Sequence, residues 1–194
     1  MKYSSLDVIR QEHSALAAML RSMRMMCRQG PRQDRARFFE VLRAMLFYVD
    51  EFPERLHHPK ESELLFPAVR NSSAQGAKIV NQLDEQHQNS LNQVRALQHL
   101  LLAWELLGDA RSEAFLAACD QFIDFYLHHM QAEEEQVFPL ARQHLTDTDW
   151  AALNAAFASS QDPLTANGLA DPIYETLFTR IVTQAPEPIG LATR

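Results

Sequence analysis

Apolar residues recur along the chain at intervals of three and four, and no stretch alternates as a half-buried strand does. The pattern predicts an all-α protein. A first helix is expected from about Leu6 to Arg28, stopped by Gly30–Pro31, with Ile9, His13, Leu16, Leu20, Met23 and Cys27 on one face. A second starts near Asp34. "NSSAQG", residues 71–76, reads as a loop. A third helix is expected from about Ala77 to Leu107, ended by Gly108, with Val80, Leu83, His87, Val94, Leu97 and Leu101 inward. A fourth runs from about Ser112 to Arg142, with Phe115, Phe122, Phe125, Tyr126, His129, Glu133 and Leu140 inward. Long helices joined by short loops imply an antiparallel up-down-up-down four-helix bundle over residues 1–145. Residues 146–194 are expected to add a C-terminal helical extension packed on the bundle. Thr146 or Asp147 caps a short helix ending near Ser160, a loop follows, and a last helix covers about Ile173 to Val182 before a frayed tail, "APEPIGLATR".

The second helix breaks its own pattern. Phe38, Leu42, Met45, Val49, Phe52 and Leu56 make a clean apolar face, so Leu56 and not His57 should point inward. The mismatch is one residue, or about 100°. Pro53 and Pro59 flank it, and a proline inside a helix removes a hydrogen bond and clashes one turn back. A kink or π-bulge that rotates His57 inward is therefore expected here.

"HHPKESELLFP", from His57 to Pro67, returns as "HMQAEEEQVFP", from His129 to Pro139. Both contain His-x-x-x-Glu, which puts an imidazole and a carboxylate one turn apart on one helical face. A single histidine precedes each motif on the helix before: His13 before His57/Glu61, and His87 before His129/Glu133. The chain is thus a duplicated helical hairpin, each half carrying His plus His-x-x-x-Glu. Aligning the two "FP" ends selects His57 and His129 over their neighbours, so His58 and His128 are expected to point elsewhere.

Four histidines and two glutamates suit two metal ions. Each ion takes two imidazoles, both carboxylates bridge, and an oxo or hydroxo bridge leaves one position open on each. Thiolates are missing from the set, which disfavours structural zinc. Imidazole with carboxylate suits iron or manganese. Glu63 and Glu135 also match across the repeat, either as hydrogen-bonding support or as solvated charge. Tyr126, one turn before His129, is either a hydrogen-bond donor to a bound ligand or a plain core tyrosine. His99 and His144 read as surface residues, and Cys27 and Cys119 as packing residues.

These motifs resemble the hemerythrin-like, HHE cation-binding domain over about residues 6–143, with all six ligand positions occupied. The resemblance implies a non-haem di-iron centre with oxo and carboxylate bridges, held by His13, His57, Glu61, His87, His129 and Glu133. Manganese or zinc are the alternative metals. It implies binding of oxygen, nitric oxide or peroxide for sensing, storage or detoxification. The alternative is a di-iron enzyme reducing peroxide or oxygen, or an iron donor in iron–sulfur cluster repair. Leu91 stands where oxygen-carrying hemerythrins have a further histidine, one turn after His87.

Composition adds exclusions. The net charge of −7, with no basic block, argues against nucleic acid and anionic membrane surfaces as partners. No apolar run approaches the roughly 18–20 residues of a spanning helix. The N-terminus lacks a signal-peptide core, and the two cysteines form no C-x-x-C pair, so reduced thiols and a cytoplasmic location are expected. A small-molecule ligand is the expected partner, and self-association as a homodimer is left open.

Overall fold

The computed structural model describes residues 4–31, 34–158, 162, 164–165 and 172–190. It is an all-α bundle of four long arms with additional C-terminal helices. The first arm is α1 (Ser4–Gln29), ended by Gly30 at φ 67°. The second begins with α2 (Arg35–Val49), where Asp34 accepts a hydrogen bond from the Arg37 backbone N–H. It continues through a π-helical stretch (Asp50–His57), α3 (His58–Lys60), a second π-turn (Glu61–Leu65) and α4 (Phe66–Ser72). The third arm is α5 (Ala74–Leu107), ended by Gly108 at φ 91°. The fourth is α6 (Ser112–Ala132), a π-turn (Glu133–Val137) and α7 (Phe138–His144).

The expected distortion of the second arm is present as the Asp50–His57 π-helix around Pro53. Leu56 is only half-buried there, while His57 and His58 are both buried. Two further π-turns were not expected. Each lies just before a proline, Pro67 or Pro139, and each is closed by an i→i+5 bond: Phe66 N–H to the Glu61 carbonyl, and Phe138 N–H to the Glu133 carbonyl. A widened turn accommodates the ring and the missing N–H of the following proline. It also sets the two motif glutamates at the distortion.

Residues 71–76 are not the loop that the sequence suggests. Only Ser73 leaves the helical region, and its hydroxyl caps α5 by accepting from the Gly76 N–H. Gly76 serves close packing instead: a Cβ there would lie 2.3 Å from the Val69 carbonyl oxygen.

Two apolar clusters fill the bundle. One includes Leu20, Met23, Leu42, Met45, Trp104, Phe115 and Phe122. The other includes Leu6, Ile9, Leu65, Phe66, Val80, Leu83, Val137 and Phe138. Every arm crosses from one to the other at its motif histidine, so the polar site sits between two apolar plugs.

The additional helices α8 (Asp147–Ala158) and α9 (Pro172–Gln184) pack on the bundle. Thr146 and Asp149 cap α8 reciprocally, each accepting a hydrogen bond from the other's backbone N–H. Trp150, Leu153 and Phe157 join the second cluster, and Ser5 N–H donates to Asn154 Oδ1. Tyr48 Oη donates to Asp162, and Tyr174 Oη donates to Glu51. Residues 185–190 of the expected frayed tail pack back on the bundle: Ala185 and Gly190 are buried, and Ile189 N–H donates to Ser22 Oγ at 3.0 Å. The expected helix end at Ser160 and the tail residues 191–194 lie outside the described residues. The two thiols face each other with Sγ atoms 3.7 Å apart, and this contact together with burial pushes the Cys27 thiol up.

Candidate metal centre

The six motif residues, one from each of α1 and α5 and two from each distorted arm, meet in the bundle interior. Glu61 and Glu133 are fully buried, and His13, His57, His87 and His129 nearly so. Each imidazole has the same polarity. Its Nδ1 faces outward to a supporting side chain, and its Nε2 faces the carboxylates.

The outward contacts follow the duplication. His57 Nδ1 donates to Glu12 Oε2 at 2.6 Å, and His129 Nδ1 donates to Gln86 Oε1 at 2.8 Å. Glu12 and Gln86 each immediately precede the single histidine of their hairpin. Between the halves, His13 Nδ1 donates to Glu134 Oε1 at 3.0 Å, and His87 Nδ1 lies 2.9 Å from Ser62 Oγ. Ser62 and Glu134 each immediately follow a motif glutamate. Such outer contacts fix ring orientation and leave Nε2 bare as a donor.

Inside the ring of supports, His57 Nε2 lies 3.3 Å from Glu61 Oε2, and His87 Nε2 lies 3.7 Å from the same oxygen. Glu133 Oε2 is 3.2 Å from His13 Nε2, while its Oε1 is 3.1 Å from His129 Nε2 and 3.6 Å from His87 Nε2. Both carboxylates therefore span the two halves.

These atoms fit a metal better than they fit one another. His57 Nε2 and all four oxygens of Glu61 and Glu133 are buried and lack hydrogen-bond geometry. Leaving them so would cost several kcal/mol, on the order of 1–3 for each group. Donors bound to one ion at about 2.1 Å stand about 3.0 Å apart at right angles and about 3.6 Å apart at 120°. The observed spacings of 3.0–3.7 Å, including 3.0 Å between His87 Nε2 and His129 Nε2, are those distances. Three groups of donors converge: His13, His57 and Glu61; Glu61, His87 and Glu133; and His58, His87 and His129. The set can therefore chelate metal.

Charge in the site points the same way. Burial lowers His57, but Glu61 and Glu12 outweigh it and hold the imidazole well above its usual value. Burial opposes His13 too, and Glu133 with Glu134 raise it to about 9. Burial would raise Glu133, yet the His129, His13 and His87 imidazoles keep it well below the carboxylate range. His13 and His57 thus favour their protonated forms beside the buried carboxylates, and a cation that takes the place of those protons displaces them.

One side chain departs from expectation and four missed notice. His58, expected to point away, is buried beside His87 and His129. The π-helix that turns His57 inward brings its neighbour in as well. His128, in the regular α6, stays exposed, with Nδ1 on the Asp124 carbonyl. The supports missed by sequence reasoning are Glu12, Ser62, Gln86 and Glu134. Their signal was adjacency to a motif residue at matching places in both halves. Glu63 and Glu135, which match equally well, are exposed. Tyr126 is fully buried; its ring lies 5.8 Å from that of His58, and its hydroxyl lacks a hydrogen-bond partner among the described residues.

A cavity of about 20 Å³ borders the His13/His57 end, lined by Leu16, Phe52, Pro53 and Leu56 together with Glu12, Lys60 and Asp162. Phe157 of α8 meets the His57 ring edge-on at 6.0 Å, so α8 packs against this end of the site.

No curated protein and no solved structure matches the chain. The sequence profile of the Hemerythrin HHE cation binding domain matches residues 4–141, most of the chain and all six motif positions. With its bundle, its duplicated His-x-x-x-Glu motifs and their convergence in the interior, the chain belongs to the hemerythrin HHE cation-binding domain family.

Proposed function

We propose that the chain holds two iron ions and binds a small ligand, oxygen, nitric oxide or peroxide, for sensing, storage or detoxification. Two irons would supply adjacent redox-active Lewis acids. The carrying observation is the convergence of His/Glu donor groups next to a cavity of about 20 Å³ beside His13 and His57. A cavity needs roughly 10–15 Å³ to admit one water, so this one has room for a small ligand beside the imidazoles. Leu16, Phe52 and Leu56 line the cavity beside the imidazoles, and Glu61 with Glu133 would help to hold both ions. Tyr126 does not line the cavity, and its unpartnered hydroxyl belongs to the His58/His129 side.

Anaerobic purification with iron quantification, followed by spectra during exposure to nitric oxide or oxygen, tests the reading. Two irons per chain and a saturable spectral change are expected. Fewer than two metals, or spectra blind to both gases, would sink it. Sustained turnover of peroxide would move the protein to the enzyme reading.

A further inference from the structure

The two halves of the site are not equivalent, and the difference is His58. It has no counterpart in the fourth arm, because the Asp50–His57 π-helix has none. From Phe115 through Phe122, Tyr126 and His129 to Glu133, the fourth arm keeps regular α-helical spacing, which leaves His128 on the outside. In the second arm the widened turn leaves two consecutive imidazoles inside. Adjacent helical residues diverge by about 100°, so they reach different points. His57 joins His13 and Glu61, while His58 joins His87 and His129.

We propose, resting on the two-metal reading above, that His58 is a third imidazole ligand to the ion held by His87 and His129. The other ion then keeps two imidazoles and is the one that takes the exogenous ligand.

Three observations support this. The His58, His87 and His129 donor atoms all lie within 4.8 Å of one another. Their ring centroids are 3.9, 4.8 and 5.5 Å apart, against 5.2 Å for the His13/His57 pair. A carboxylate also stands behind His58, farther off than the 2.6–3.0 Å supports of the other four histidines. Glu54 Oε2 lies 3.5 Å from its Nδ1 and is pinned by a 2.7 Å hydrogen bond from Ser90 Oγ. A carboxylate behind the imidazole is the usual companion of a metal-ligating histidine. His128, His99 and His144 are exposed instead. The cavity agrees with the assignment of the open ion, since it borders His13 and His57 and not His58.

The test uses the full chain loaded anaerobically with 57Fe. Wild type should hold two irons, seen as two Mössbauer doublets. His58→Ala and His58→Gln should release one iron to a chelator at least ~10-fold faster and shift one doublet only. His128→Ala should match wild type. Two irons with unchanged doublets and release rates in both His58 variants would overturn the assignment. Should the variants fail to fold, cobalt-substituted wild type decides through its hyperfine-shifted imidazole N–H resonances: five support the proposal and four overturn it. A wild type that loads fewer than two ions would overturn the two-metal reading itself, and with it this one.

Discussion

Glu12→Gln is the sharpest probe of the outer supports. Glu12 and His57 are both buried, and Oε2 accepts from Nδ1 at 2.6 Å. That is at the short end for a charge-assisted bond. Glutamine keeps an acceptor oxygen and nearly the same shape, so the ring stays oriented and only the charge is lost. A hydrogen bond to a charged group is worth roughly 1.5–3 kcal/mol, against roughly 0.5–1.5 for a neutral one. The difference, on the order of 1–1.5 kcal/mol, corresponds to about tenfold in affinity. Metal affinity at the His13/His57 position should therefore fall about tenfold in Glu12→Gln, and up to about 100-fold in Glu12→Ala, where orientation is lost too. Gln86 holds His129 in the same way with a neutral oxygen, so Gln86→Glu should move the other position toward tighter binding. Anaerobic competition with a chromophoric chelator measures both ions. Affinities within twofold of wild type in Glu12→Gln would refute the idea that this carboxylate tunes the imidazole.

Two further outcomes follow from packing and burial. Gly76→Ala should destabilise the fold by about 1–3 kcal/mol, because its Cβ would meet the Val69 carbonyl oxygen at 2.3 Å; a denaturant midpoint equal to wild type would contradict this. Burial raises the Asp162 carboxyl to about 6 from 3.8, so the folded chain retains a proton that the unfolded chain has lost. This contribution to stability is fully present below about pH 4 and falls by about 3 kcal/mol as pH rises through 6. The metal-free wild type should lose that much stability relative to Asp162→Asn across the window, and parallel pH profiles of the two proteins would contradict it.

The sequence made the bundle and the donor set readable for one reason: duplication. A lone histidine on an apolar face carries little information, but His13 and His87, at matching places before His57/Glu61 and His129/Glu133, restrict each other. Even the conflict between Leu56 and His57 was legible as a distortion, because Pro53 supplied its cause. Its full effect was not. Aligning the halves presumes that they are equivalent, and His58 sits where that equivalence fails, since one arm has a π-helix the other lacks. Gly76 was misread for a different reason. Glycine signals a turn locally, and only the approach of α4 to α5 shows that it is needed inside a helix. The supports Glu12 and Ser62 were hidden because polar residues next to a motif look like solvated surface until the facing arm is in place. Ile189 meets Ser22, more than 160 residues away in sequence, a contact that no local pattern reveals.

The exchange of supports between the hairpins has a consequence in time. As the chain leaves the ribosome, the first hairpin emerges with His57 already able to find Glu12, but His13 must wait for Glu134, 121 residues later. A nascent half therefore offers a passing metal ion only a partly oriented grip. The His13 support is thus complete only once the fourth arm has been made.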